Sequence, residues 1–220
     1  MLFRKDPTSR VRARADDDKA KVRQAFVNVG RRLFATEDPS KVSLRRIAAE
    51  AGYSPGSIYS YFADYRALQT AIRETDTEAA VIHFEQLAAR THDPVERMRK
   101  LFLDTVVYWL QHTDQFDVLF SPPSKLQPTP AEGGQLFGQS AQITTRALNV
   151  YYSTTKAFFD SLPRHPIDHH LAADAMMAAV HGIVAFPRMT RAMEWSYIPG
   201  MAKVIIDGML DHWTEQASRK

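Results

Sequence analysis

One stretch of 26 residues, Ser43 to Leu68, limits what this chain can fold into: SLRRIAAEAGYSPGSIYSYFADYRAL. Within it Ala48, Gly52 and Ile58 stand four and six residues apart. That spacing suits two short helices that cross at an alanine and are joined by a glycine free to adopt φ > 0, with a β-branched residue returning to the core. Ser43 precedes Leu44, where its hydroxyl can accept an orphan N–H. Leu44, Ile47, Ala48 and Ala51 then mark one apolar face. Ser54-Pro55 is a helix start, serine as cap and proline at the first position. A second helix is therefore expected from about Pro55 to Tyr61, anchored by Ile58 and Phe62, and Asp64 is expected to cap a third.

The second helix exposes chemistry suited to nucleic acid. Ser54, Pro55, Gly56, Ser57, Tyr59, Ser60 and Tyr61 present hydroxyls, two rings and bare backbone. Small residues let N-terminal N–H groups approach a phosphate, and hydroxyls reach phosphate or base edges. Ser43, Arg45 and Arg46 on one side, and Tyr65 and Arg66 on the other, complete the expected DNA-binding set.

The pattern Ile47-Ala48, Ala51-Gly52, the small residues Ser54 to Ser57, and Tyr59-Ser60-Tyr61-Phe62 resembles the DNA-binding domain of TetR-family transcriptional regulators. The likeness covers about Val22 to Ala71. One position departs: the family's lysine in F-x-x-K-x-x-L is Tyr65 here, followed by Arg66. The resemblance implies a ligand-responsive regulator, in the commonest form a repressor released from a palindromic operator by a small, mostly apolar effector. It also implies a homodimer on double-stranded DNA.

Charge is placed to match. Of 220 residues, Met1 to Thr70 hold 14 Lys/Arg against 8 Asp/Glu, and the rest 14 against 17. A basic first third and a mildly acidic remainder is the asymmetry of a chain whose one end meets nucleic acid. With no cysteine there is no disulfide framework and no thiolate metal site. No apolar run is read as a membrane span, and the chain is expected to be cytoplasmic.

No strand-like alternation is convincing, so the chain is expected to be all-α with about nine helices. Residues 1–15 read as a disordered basic arm, either a solvated tail or an arm that follows DNA. Residues 16–64 form the three-helix helix-turn-helix domain, and 65–220 a larger helical ligand-binding and dimerisation domain. Helices are expected over about 17–35, 64–89, 94–112, 115–120, 135–161, 168–189 and 197–215. The first long one carries Leu68, Ala71, Ile72, Thr75, Ala79, Ile82 and Leu87 on its inner face. Residues 121–134, rich in proline, read as a loop.

The last two helices carry stripes at Ala172, Ala175, Ala179 and Gly182, and at Ile198, Met201, Ile205, Met209 and Trp213. Either stripe is core or an oligomer seam, and the resemblance favours a seam between two copies. The middle helices collect large soft side chains. Phe102, Thr105, Val106, Trp109, Phe116, Phe120, Gln142, Asn149, Tyr152, Met177 and His181 line either a filled core or an effector pocket, since mostly apolar pockets between helices are common ligand sites. No phosphate-binding glycine loop, zinc-protease helix or nucleophile elbow is written in the chain. No catalytic residue, cofactor or metal is expected. Two other classes remain: an architectural DNA-binding protein without an effector, and a small helical enzyme.

Overall fold

The computed structural model describes residues 7–38, 41–120, 138–190 and 192–219. These form eight α-helices and one 3-10 helix, with no strand among them. The helices are α1 (Pro7–Thr36), α2 (Leu44–Glu50), the 3-10 helix (Ser57–Ser60), α3 (Tyr65–Arg90), α4 (Pro94–Gln111) and α5 (Thr113–Phe120). After them come α6 (Gly138–Asp160), α7 (His169–Met189) and α8 (Ile198–Ser218). The proline-rich loop expected over 121–134 lies outside the described residues. Two compact units result, one gathering the described residues up to Thr75 and the other those from Asp76 onward. The boundary falls inside α3 rather than at residues 64–65.

In the first unit α1 packs on α2, and α2 on the 3-10 helix. Phe26, Ile47, Ile58, Leu68 and Ile72 are fully buried at its centre, each worth roughly 1.5–3 kcal/mol of apolar burial. Gly30 sets how closely α1 and α3 approach: a Cβ there would stand 3.1 Å from Ile72 Cδ1 and 3.2 Å from Leu68 Cδ2. The arm expected to lack structure over 1–15 is helical from Pro7. Proline suits the first turn, where its missing N–H is no loss, and the helix then extends through Arg10, Arg12 and Arg14.

In the second unit α4 is central and packs against α5, α6, α7 and α8. Met98, Leu101, Phe102, Thr105, Val106 and Trp109 form its buried face. Asp93 caps α4 by accepting the Glu96 N–H at 2.7 Å. Asp168 caps α7 through the His170 and Leu171 N–H groups, both at 3.0 Å. Such caps contribute about 1 kcal/mol each. The inner face of α3 differs from expectation in its second half. Ala79 and Ile82 are exposed, while Asp76, Ala80, Val81 and Phe84 are buried. Phe84 meets Tyr108 edge-on at 5.2 Å and Tyr151 at 6.0 Å, so the packing of α4 and α6 decides which stripe turns inward. Arg146 of α6 ties down α3, donating to Glu85 at 3.0 and 2.7 Å and to Glu78 at 2.6 Å.

Helix α7 is, by length and composition, apolar enough to cross a bilayer, contrary to the sequence reading. Its inner face is core, with Ala172, Ala173, Met176, Val180 and Val184 fully buried. Its outer face carries Leu171, Phe186 and Met189, at 61%, 52% and 78% exposure.

Candidate functional site

The turn of the helix-turn-helix is built as its residues dictate. The Ser43 hydroxyl accepts the Arg46 N–H at 3.3 Å. Gly52 has φ +82°, the one positive φ among the described residues, and a left-handed residue here is what glycine permits without a Cβ penalty. The Tyr53 N–H then donates to the Ala48 carbonyl at 2.9 Å. Phe26 of α1 fills the space behind, meeting Tyr53 edge-on at 5.2 Å and Tyr61 at 5.4 Å.

The segment expected as an α-helix over Pro55–Tyr61 is instead a 3-10 helix of four residues. Its bonds are tight i to i+3 turns, Ser57 N–H to the Ser54 carbonyl and Tyr61 N–H to that of Ile58, both 3.0 Å. The Ser57 hydroxyl also donates to the Ser54 carbonyl at 2.7 Å. Serine competes in this way with α-helical bonding. Gly56, not Ser54, occupies the cap position, and no side chain caps it. Ile58 at 0% and Phe62 at 2% exposure hold the segment down. Ser54, Pro55, Gly56, Tyr59 and Ser60 are left exposed; Ser57 and Tyr61 are half-buried.

The basic residues divide. Arg45 and Arg66 are exposed. Arg46 is not free: its guanidinium donates to both Glu37 carboxylate oxygens at 2.6 Å and to Glu50 at 3.0 Å. Glu50 also accepts from Arg32 at 2.9 Å. The Glu37 carboxyl is held below the usual carboxylate range by its bonds to Arg46, and Arg46 is pushed up in return. Arg46 therefore ties α2 to the end of α1. Tyr65 is held as well. Its ring packs edge-on to Phe34 at 5.2 Å, its hydroxyl is buried without a hydrogen-bond partner, and burial pushes its pKa up.

In the second unit, an open groove of about 350 Å³ lies between α5 and α7. Phe116 and Phe120 form one wall; Met177, Ala178, His181, Gly182 and Ala185 form the other. Four residues expected in a pocket meet there: Phe116, Phe120, Met177 and His181. The other expected pocket residues lie elsewhere. Phe102, Thr105 and Val106 are fully buried in close packing, and the Thr105 hydroxyl is satisfied by the Leu101 carbonyl at 2.8 Å and Tyr151 Oη at 3.1 Å. Trp109 lies behind the groove, its ring 5.8 Å from Phe116 and 5.3 Å from Phe120. Gln142 and Asn149 are exposed on α6. The Tyr152 hydroxyl bonds to Asp174 at 2.9 Å. Ala178 and Ala185 were not foreseen; their spacing from Gly182 was the signal available.

The two stripes also divide. Ala172 and Trp213 are core, because α7 and α8 turn these residues toward α4 and α6. Ile198 and Met209 pack against the same core. Ala175, Gly182 and Ile205 are exposed, with Ala179 and Met201 half-buried. Beside them Tyr197 and Val204 are 78% and 74% exposed. Gly182 and Gly208 sit inside helices, and a Cβ at either would meet nothing within 4 Å.

Residues 26–72 match the family model described as bacterial regulatory proteins, tetR family. An HTH-type transcriptional regulator of Staphylococcus aureus (strain USA300) is 29% identical over 82 residues, 37% of this chain and 44% of that protein. The match thus spans less than half the length of the curated relatives. Two solved structures are similar in fold. A Rhodococcus RHA1 regulatory protein of the tetR family has a TM-score of 0.64 at 19% identity, covering 88% of this chain and 97% of that one. FadR of Bacillus subtilis, in complex with stearoyl-CoA, has a TM-score of 0.65 at 14% identity, covering 88% and 98%. Residues 26–72, which hold the helix-turn-helix turned at Gly52, thus match the DNA-binding domain of the tetR-family regulators, and the all-helical fold is similar to that of the solved structures.

Proposed function

We propose that this chain is a DNA-binding transcriptional regulator, a homodimer whose operator affinity falls when a small, mostly apolar effector enters the α5–α7 groove. The observation that carries the DNA reading is the exposed rim Ser54, Pro55, Gly56, Tyr59 and Ser60, held outward by the buried Ile58 and Phe62. Arg45 and Arg66 supply charge beside it, and the serine hydroxyls and Tyr59 supply contacts to phosphate and base edges. Two copies joined through the outer faces of α7 and α8 would present two such rims to one palindromic site. Gly208 supports that seam: it lowers helix propensity by about 1 kcal/mol against alanine, and no described neighbour requires it. The groove supports an effector, and the stearoyl-CoA complex of the similar FadR fold supports an apolar one. Helix α3 runs unbroken from Tyr65 to Arg90, so a ligand that shifts its far end acts on the first unit through differential affinity for two states. A repressor in the cytoplasm is the simplest form of this reading.

Selection of bound sequences from a random DNA pool at fixed salt tests it. A two-fold symmetric site with half-sites about one helical turn apart is expected; recovery of no enriched sequence sinks the proposal. The close-packed layer of Phe102, Thr105 and Val106 favours a second reading, an architectural protein without an effector, if no groove ligand changes operator affinity.

A further inference from the structure

The groove's own polar groups define what kind of molecule fits it. Among the described residues His181 is the one polar side chain on its walls. Its Nδ1 stands 2.8 Å from the Met177 carbonyl. A carbonyl only accepts, so Nδ1 carries the proton, and in the neutral ring Nε2 is left as an acceptor. Nε2 has no partner among the described residues. Burial favours that neutral ring by pulling the imidazole pKa down. Phe116 and Phe120 flank the ring, with centroids 6.4 and 4.9 Å away. Behind the same two phenyl rings the Trp109 indole N–H is buried, with no acceptor among the described residues.

Among the described residues no lysine or arginine lines the groove. The guanidinium of Arg188, on the same helix as His181, is engaged with the Asp117 carboxylate of α5. An anionic ligand would thus lose hydration with no cation to replace it. Resting on the effector reading above, we infer that the groove takes an uncharged, largely apolar molecule carrying a hydroxyl, which donates to His181 Nε2. A hydroxyl is a small neutral group that can donate to an imidazole nitrogen, which an ether cannot. The volume falls in the range of about 300–1,000 Å³ usual for such sites.

Calorimetric titration of the full chain with three probes of similar size tests this: 2-naphthol, 2-methoxynaphthalene and 2-naphthoate. 2-Naphthol should bind about five- to tenfold more tightly than the ether, the worth of one hydrogen bond, and the carboxylate should bind weakest. In His181→Phe the preference for naphthol over the ether should vanish. In His181→Gln, which restores an acceptor, it should persist, so the two variants together guard against a folding defect in one. Equal binding of naphthol and ether, tightest binding of the carboxylate, or an unchanged preference in His181→Phe overturns the ligand class while leaving an effector groove standing. Failure of all three to bind overturns both.

Discussion

Individual residues divide sharply between those that shape the reading head and those available to DNA. Gly52 shapes it. Its φ is +82° and a Cβ there would touch nothing within 4 Å, so Gly52→Ala costs conformational energy alone, about 1–2 kcal/mol. Urea unfolding should show a lower midpoint at an unchanged slope; an unaltered midpoint would mean the turn relaxes freely. Arg45 and Arg46 are neighbours with different work. Arg45 is exposed, whereas Arg46 is held by two carboxylates. Arg45→Ala should weaken DNA binding across all sequences and lower the salt slope by about one. If the slope is unchanged in filter-binding or fluorescence titrations, Arg45 does not meet a phosphate. The sequence did not separate these two arginines, because Glu37 reaches Arg46 only once α1 and α2 have packed.

Among the elements, the α1–α2 clamp carries the clearest pH signature. The Glu37 carboxyl is depressed below its ordinary value by its bonds to Arg46. A depressed carboxylate stabilises the fold above its unfolded pKa, near 4.5, and that contribution is lost as pH falls through the lower folded value. Glu37→Gln should therefore melt below the parent at pH 7, and the gap should close as pH falls below about 4. A gap constant from pH 7 to pH 3 in thermal melts would show that Glu37 acts through packing rather than charge. Helix ends were legible in the sequence because caps are local: Ser43 accepts the Arg46 N–H, and Asp64, expected to cap the third helix, accepts the Ala67 N–H at 2.8 Å. Longer-range choices were not. The Ser54-Pro55 start promised an α-helix, but the Ser57 hydroxyl takes the Ser54 carbonyl and burial of both Ile58 and Phe62 is met by a tighter turn. The stripe of α3 was readable to Ile72 and lost by Ala79, since α4 and α6 decide what lies under it. Groove residues were half legible: the aromatics of α5 announce a soft site, but nothing local tells Phe102, sealed in the core, from Phe120, 48% exposed.

For the whole molecule, the decisive quantity is how many reading heads act together. The outer faces of α7 and α8 leave Leu171, Phe186, Met189, Tyr197 and Val204 in water, more apolar surface on two adjacent helices than a lone chain has reason to expose. Val204 is the cleanest probe, since it is 74% exposed and belongs neither to the core nor to the groove. Val204→Asp should leave helical circular dichroism unchanged while placing a charge in the seam, where an unpaired buried carboxylate costs several kcal/mol. On the proposed seam, sedimentation should report a dimer for the parent and a monomer for the variant. The parent's melting temperature should rise with chain concentration, and the variant's should not, because only association carries that dependence. Operator affinity should fall by at least about a hundredfold, since the second head no longer binds at the effective concentration its tether provides. A Val204→Asp chain that stays dimeric would move the seam elsewhere. A monomer that holds the operator as tightly as the parent would mean that one rim, Ser54 to Ser60, reads DNA unaided.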